Sequence, residues 1–269
     1  MRLGISISPL ATRFGPVLHD ADVSALCREL ARAGYSGVEL SLVTPEAFTP
    51  ALAAAVADSN LSVLSIATGQ SYIRDRLCLY TADASVRRQA ISRLEGFIPL
   101  ARRHSCPIII GGVRGNELPE PGEMTRVEEL GNTAFRELAK AAEREDVTLL
   151  LEPINRYETR FFNTLESAAR FIAVENFPNV KILADTFHMN IEEPDIVESV
   201  ESHLDRIGYV HVADSNRRFP GAGHIDFERI ASSLRSRGYR GVVGVEILPW
   251  PDPLEAASRS IRKLRQLLN

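Results

Sequence analysis

Residues 147–153 read VTLLLEP, a short apolar run that ends in a glutamate. Three later segments also combine a short apolar run with an ionisable residue: Asp185 in KILADTFHM (181–189), His211 in GYVHVADSN (208–216) and Glu246 in GVVGVEIL (241–248). Such runs are too short for a stable helix, and continuous apolar sequence is typical of parallel strands that are covered on both faces. The second half of the chain therefore predicts consecutive buried strands, each followed by an acidic or imidazole side chain.

Similar runs occur upstream, with helical stretches between them. We predict eight strands, at 3–7, 37–40, 62–66, 107–110, 148–151, 181–184, 208–212 and 242–245. The predicted helices lie at 23–33, 45–58, 84–103, 125–143, 164–174, 195–203, 227–237 and 254–268. Eight alternations without a Gly/Ser-rich linker predict the α/β class and a single (β/α)8 TIM barrel, one domain over residues 1–269.

A doubly wound open sheet is the main alternative fold. Such sheets often carry a glycine fingerprint after the first strand, whereas here that strand is followed by SPLATRFGP (8–16).

At the helix ends, Thr164 and Asp226 are expected to act as N-caps. Ser167 stands where a capping box has Glu or Gln, so we expect that box to be incomplete.

Composition limits the possible partners and compartments. The 269 residues carry a net charge of −4 without a long basic block, which disfavours nucleic acid as a partner. The cysteines, Cys27, Cys78 and Cys106, are too scattered for a disulfide framework or a thiolate zinc site. No apolar segment approaches the ~20 residues that span a bilayer, and the N-terminus does not read as a signal peptide. We therefore expect a cytoplasmic protein without membrane contact.

Four side chains at strand ends predict a metal site: Glu152, Asp185, His211 and Glu246. Their intervals each match about one strand–helix unit, so a barrel would bring all four to its C-terminal mouth, where barrel enzymes place their sites. Each one alone could be a salt-bridge partner or a core histidine. Together they would be costly to bury without a shared cation. An oxygen-rich donor group of this kind suits Mn²⁺, Mg²⁺ or Co²⁺.

Further polar residues fall in the segments that follow strands 4 to 7. Glu158, His188, Arg217 and His224 are expected in loops that can close on a substrate. Asn155 is expected to stabilise its loop by hydrogen bonds. After strand 4, a phosphate could be bound by Arg114 with the backbone of Gly111, Gly112 and Gly115. A tight turn explains these glycines equally well, and we favour the turn.

Several motifs resemble the xylose-isomerase-like barrel superfamily and, within it, the ketose 3-epimerases that act on D-tagatose and D-psicose. They are EPINRYETRFFNT (152–164), LADTFHMNIEE (183–193), HVADSNRRFPGAGHIDF (211–227) and VEIL (245–248). In the first half, ATGQSYIRDRLCLYTADASVRRQAI (67–91) and IIIGGVRG (108–115) look most like the 5-keto-L-gluconate epimerase branch. The resemblance thus covers nearly the whole chain.

The resemblance implies a role for each matching residue. The four strand-end residues would hold a divalent metal, Mn²⁺ first and Co²⁺ or Mg²⁺ otherwise. Glu152 and Glu246 would also exchange the proton that inverts C3 of a free ketose through an enediolate. Glu158, His188 and Arg217 would contact the sugar substrate, and Arg114 is a further candidate contact. The family also implies a homo-oligomer, either a dimer or a tetramer.

The resemblance leaves other functions open. The mouth near strands 1 and 4 lacks the family's usual aromatics, which leaves room for a keto-uronate epimerase of the 5-keto-L-gluconate or D-tagaturonate type. A sugar or sugar-phosphate aldose–ketose isomerase is the other alternative enzyme. An apurinic-site endonuclease would need histidines at strands 2 to 4, and VELSLV (38–43), SIATGQ (65–70) and IIIGGVRG contain none. A purely sugar-binding barrel would not need two opposed carboxylates.

Overall fold

The structure is a computed structural model that describes residues 1–12, 15–116, 119–120 and 122–268. Eight parallel strands close into a barrel in chain order, and β1 pairs with β8 to complete the ring. The strands are β1 Arg2–Ile7, β2 Gly37–Ser41, β3 Ser62–Ala67, β4 Ile108–Ile110, β5 Leu149–Leu151, β6 Val180–Asp185, β7 Ile207–Val212 and β8 Val242–Val245. The predicted barrel is confirmed, and the open sheet is excluded.

Helices surround the barrel. Within the described residues they are α1 Val23–Ala33, α2 Pro50–Asp58, α3 Gln70–Asp75, α4 Ala84–His104, α5 Met124–Arg144, α6 Leu165–Glu175, α7 Thr186–Glu192, α8 Ile196–His203, α9 Phe227–Ser236 and α10 Pro253–Leu268. Short 3-10 turns lie at Pro45–Ala47 and Gly112–Arg114. Of these described helices, none is both long and apolar enough to cross a membrane.

Three details differ from the sequence prediction. The helix expected at 45–58 is split, because Thr49 accepts a hydrogen bond from the Leu52 amide and begins α2 with Pro50 in its first turn. The short helix α7 lies in a segment predicted as a loop, and α3 lies where no helix was predicted. The capping box of α6 is complete after all, since the Ser167 hydroxyl accepts from the Thr164 amide in place of a carboxylate.

The interior of the barrel is apolar at one end of its axis and polar at the other. Its floor is an apolar cluster made of Leu64, Ile109, Leu150, Leu183, Tyr209 and Val242. A much larger apolar layer fills the space between the strands and the helices. The polar side chains of the barrel interior, including His211 and Glu39, lie above the floor toward the C-terminal end. The apolar layers stabilise the fold and leave the mouth free for polar groups.

Candidate active site

The four predicted metal ligands meet at the C-terminal mouth of the barrel. Glu152 follows β5, Asp185 ends β6, His211 belongs to β7 and Glu246 follows β8. Asp185 and His211 are partners in the β6–β7 register, which sets them side by side. One potential ligand atom from each residue lies within 4.8 Å of the others. The strands thus place three carboxylates and one imidazole around a common centre, as the sequence predicts.

Burial and crowding change the charges of these groups. Burial raises the pKa of Glu152, and it raises the pKa of Glu246 to about 8, with the neighbouring carboxylates adding to the effect. Burial also opposes ionisation of Asp185, but the charges of Arg217, His188 and His211 together outweigh it and lower the pKa of Asp185 to about 2. Three acidic groups in so little space are repulsive unless a positive charge lies among them. The site therefore favours the binding of a cation.

Arg217 supplies part of that positive charge. Its Nη1 lies 2.7 Å from Asp185 Oδ2, and its Nη2 donates to Glu246. The residue adopts a left-handed backbone with φ of 59° in the segment after β7. The buried carboxylate of Asp214 holds this segment by accepting from the amides at 215, 221 and 225. Arg217 thus reaches the ligand cluster from a loop with a fixed course.

His211 shows that the donors fit a divalent cation. Its Nδ1 is buried without a hydrogen-bond partner among the described residues. That atom lies 3.7 Å from Glu152 Oε1, 3.9 Å from Asp185 Oδ2 and 3.7 Å from Glu246 Oε2. An imidazole nitrogen that faces three carboxylates matches the nitrogen and oxygen donors preferred by Mn²⁺, Co²⁺ and Mg²⁺ enzymes. These four residues would hold the metal.

A fifth buried acid, Glu39, lies behind this cluster. It belongs to β2, is 1% exposed and lies 2.9 Å from Nε2 of His211. Sequence reasoning missed it, because one glutamate in GVELS gives little sign of its role. The available signal was an ionisable residue inside a strand whose neighbours are all apolar or small.

The predicted substrate contacts fall into two groups. Glu158, His188 and Arg217 line a cavity of about 480 Å³ that also exposes Glu152 and Glu246. His188 lies on α7 rather than in a loop, because Asp185 accepts from the Phe187 amide and begins that helix directly at the strand end. Burial lowers the pKa of His188 to about 3, so its ring is neutral. His224 instead pairs with Ser215 Oγ at 2.9 Å outside the cavity lining.

Arg114 is not part of the cavity lining. It is 0% exposed, and its guanidinium donates to the carbonyls of Gly111 at 3.0 Å, Phe161 at 2.7 Å and Glu152. This geometry does not support the predicted substrate contact. The glycines around Arg114 form the favoured turn, which is a 3-10 turn ending at Gly115 with φ of 90°. Arg114 therefore connects the segments after β4 and β5.

The cavity has a second wall that the sequence did not predict. It mixes apolar residues such as Val17 and Ile73 with polar ones, which are Thr12, Ser41, Thr68, Gln70 and Arg74. Gln70 and Arg74 lie on α3, which was too short to be recognised from its periodicity. None of the described lining residues is Phe, Tyr or Trp, which agrees with the missing aromatics noted in the sequence.

The geometry predicts stabilisation by metal. Mn²⁺ at about a hundredfold excess over its Kd should raise the free energy of unfolding by about 2.7 kcal/mol, because the folded state alone assembles the four ligands. Differential scanning fluorimetry should show a higher Tm, reversed by a chelator. Asp185→Asn should lose most of this shift. An equal shift in that variant would mean that the metal binds elsewhere.

The chain is similar in sequence to proteins of known family. Residues 27–266 match the family model of the xylose isomerase-like TIM barrel. An L-ribulose 3-epimerase of Mesorhizobium japonicum is 34% identical over 77% of this chain and 69% of its own length. A 3-dehydro-D-guloside 4-epimerase of Escherichia coli K12 is 37% identical, but the match spans only 49% of this chain and 51% of that enzyme.

A solved structure extends the likeness over the full barrel. The crystal structure of a 3-keto-D-glucoside 4-epimerase from E. coli superposes with a TM-score of 0.82 and 25% identity, covering 99% of both chains. The family model covers most of the chain, and its TIM-barrel fold agrees with the closed barrel of the structure. The chain therefore belongs to the xylose isomerase-like TIM barrel family.

Proposed function

We propose that this protein is a metal-dependent carbohydrate epimerase that inverts C3 of a free ketose. The observation that carries the proposal is the placement of Glu152 and Glu246. Both carboxylates belong to the ligand cluster, and both line the same cavity as His188, Arg217 and Glu158. Relatives that are ketose 3-epimerases support the reaction type.

Epimerisation beside a ketone breaks a poorly acidic C–H bond and forms it again on the other face. A divalent cation in this cluster would supply the positive charge that stabilises the enediolate. One glutamate accepts the C3 proton as the C–H bond breaks, and the other donates its own proton to the opposite face. Glu152 and Glu246 follow β5 and β8, which are not neighbours in the barrel, so they approach the cavity from different sides.

The remaining polar groups would orient the sugar. His188 is neutral, and Arg217 is already held by two carboxylates, so each offers N–H groups in a fixed place. Glu158 adds an acceptor at the same wall. Groups that are positioned before the substrate arrives lower the cost of reaching the reactive geometry.

The proton-transfer role predicts the behaviour of Glu246→Gln. The amide keeps an oxygen for the metal but cannot accept the proton, so epimerisation should fall by ~10²–10⁴-fold. A panel of ketoses and keto-uronates in deuterated water, followed by NMR, measures both turnover and exchange at C3. Glu228→Gln, at a side chain that is 80% exposed, is the matched control.

Near-normal epimerisation by Glu246→Gln, with metal content equal to wild type, would contradict the assignment. Conversion of a ketose to an aldose without an epimeric product would favour the isomerase instead. The same panel therefore separates the two reactions.

Arg74 favours a second candidate function, epimerisation of a keto-uronate. Its Nη2 donates to the Ala11 carbonyl at 2.7 Å, and its Nε lies 3.4 Å from Gln70 Oε1. Among the described residues it has no carboxylate partner, whereas Arg217 has two. A cation in the wall of the cavity opposite Glu158 and His188 would suit a substrate that carries a carboxylate away from the reacting carbons.

Arg74→Gln tests this second candidate. If the arginine binds a substrate carboxylate, the variant should lose ~10-fold or more in kcat/KM for keto-uronates, the cost of one charged hydrogen bond. Neutral ketoses should change less than about twofold. Arg76→Gln, outside the cavity lining, is the control. Equal losses for both substrate classes would contradict carboxylate recognition.

A further inference from the structure

We infer that Glu39 is a positioning residue that fixes the His211 ring with Nδ1 turned to the metal ligands. The inference rests on the proposed metal-dependent function. Glu39 does not line the cavity, so it would act only through His211.

Three hydrogen bonds fix the Glu39 carboxylate in the barrel interior. Ser6 Oγ on β1 donates to Oε1 at 2.5 Å, and Ser65 Oγ on β3 donates to Oε2 at 2.6 Å. His211 Nε2 also lies 2.9 Å from Oε2. The neighbouring strands thus supply the donors that offset the cost of burying this charge.

The chemistry of the contact decides which ring nitrogen carries the proton. An ionised carboxylate can only accept hydrogen bonds, so Nε2 of His211 must donate. A neutral imidazole with its proton on Nε2 has its lone pair on Nδ1. That nitrogen is the one that faces Glu152, Asp185 and Glu246. The opposite tautomer would direct an N–H into the ligand cluster and leave two acceptors facing each other at Nε2.

Metal affinity tests the positioning role. Glu39→Gln removes the charge at nearly constant shape and should weaken Mn²⁺ binding by ~10–100-fold, the usual effect of losing such a partner. Titration of the metal-free protein, followed by calorimetry or by the Mn²⁺ EPR signal, gives the Kd without turnover. Glu175→Gln is the matched control, because Glu175 is paired with Arg136 on the outer helices and lies outside the site.

A purely structural role for Glu39 would give a different result. Stability would fall while the Mn²⁺ Kd stayed within about twofold of wild type, and that outcome would overturn the inference. If Glu39→Gln does not fold, Glu39→Asp replaces it. The shorter acid keeps the charge but cannot reach both serines and Nε2, so unchanged affinity would again overturn the inference. Wild-type protein that binds Mn²⁺ but epimerises no sugar would refute the proposed function alone.

A separate contact concerns Asn155, which we propose sets the Nε2–H tautomer of His188. The Tyr157 amide donates to Asn155 Oδ1 at 3.0 Å, which orients the side-chain amide. Its Nδ2 then lies 2.8 Å from His188 Nδ1 and 2.9 Å from Glu158 Oε1. Because Nδ2 only donates, Nδ1 of His188 accepts and Nε2 carries the proton. His188 would therefore offer an N–H to a substrate oxygen, and Asn155 would position two substrate contacts at once.

Long-range ¹H–¹⁵N NMR of histidine-labelled protein reports the tautomer directly, without metal or substrate. Wild type should show His188 protonated on Nε2, assigned by its absence in His188→Gln. Asn155→Asp puts an anion beside Nδ1, so the proton should move to that nitrogen and kcat/KM should fall. Asn163→Asp is the control, because Asn163 donates only to the carbonyls of Ile154 and Thr159. An Nδ1–H tautomer in wild type, or an unchanged His188 signal in Asn155→Asp, would overturn the proposal.

Discussion

Repulsion between three closely spaced carboxylates, two of them buried, is the constraint on which the rest of the mouth depends. Glu152, Asp185 and Glu246 converge with His211 within 4.8 Å. Such a cluster is stable only where positive charge and hydrogen-bond donors surround it. Arg217, whose own backbone is left-handed, supplies such a positive charge to Asp185 and Glu246. The crowding that makes these carboxylates repel one another also makes the cluster a candidate cation site.

The barrel separates this costly polar layer from the apolar layers that stabilise the fold. The floor residues, Leu150 and Tyr209 among them, close the barrel beneath the ligands and exclude water from that side. Glu39 lies between the two layers, where serine hydroxyls from the adjacent strands donate hydrogen bonds to its carboxylate. Ligand geometry is therefore set by rigid strands, while the substrate walls are built from the segments that follow them.

Much of this could be predicted from the sequence, because buried parallel strands are continuously apolar and ligand spacing follows the strand–helix repeat. The four candidate ligands, which meet at the mouth of the barrel, are predicted that way. The short helices α3 and α7 were missed, since six or seven residues give too few turns for a periodic signal. Arg114 was placed in the cavity because a glycine-rich loop does not reveal which way its arginine points. The capping box was missed because Ser167 replaces the usual acid.

Arg114 also limits how this barrel can be redesigned. Its guanidinium joins the Gly111 carbonyl, after β4, to carbonyls from the segment after β5, including that of the candidate ligand Glu152. Lysine carries its three N–H donors on a single nitrogen, so it cannot span carbonyls that Nε, Nη1 and Nη2 of Arg114 reach separately. Loops grafted from a relative to alter sugar preference would therefore have to be exchanged as a pair, with this arginine retained. The two segments form one module for engineering, although they are separate in sequence.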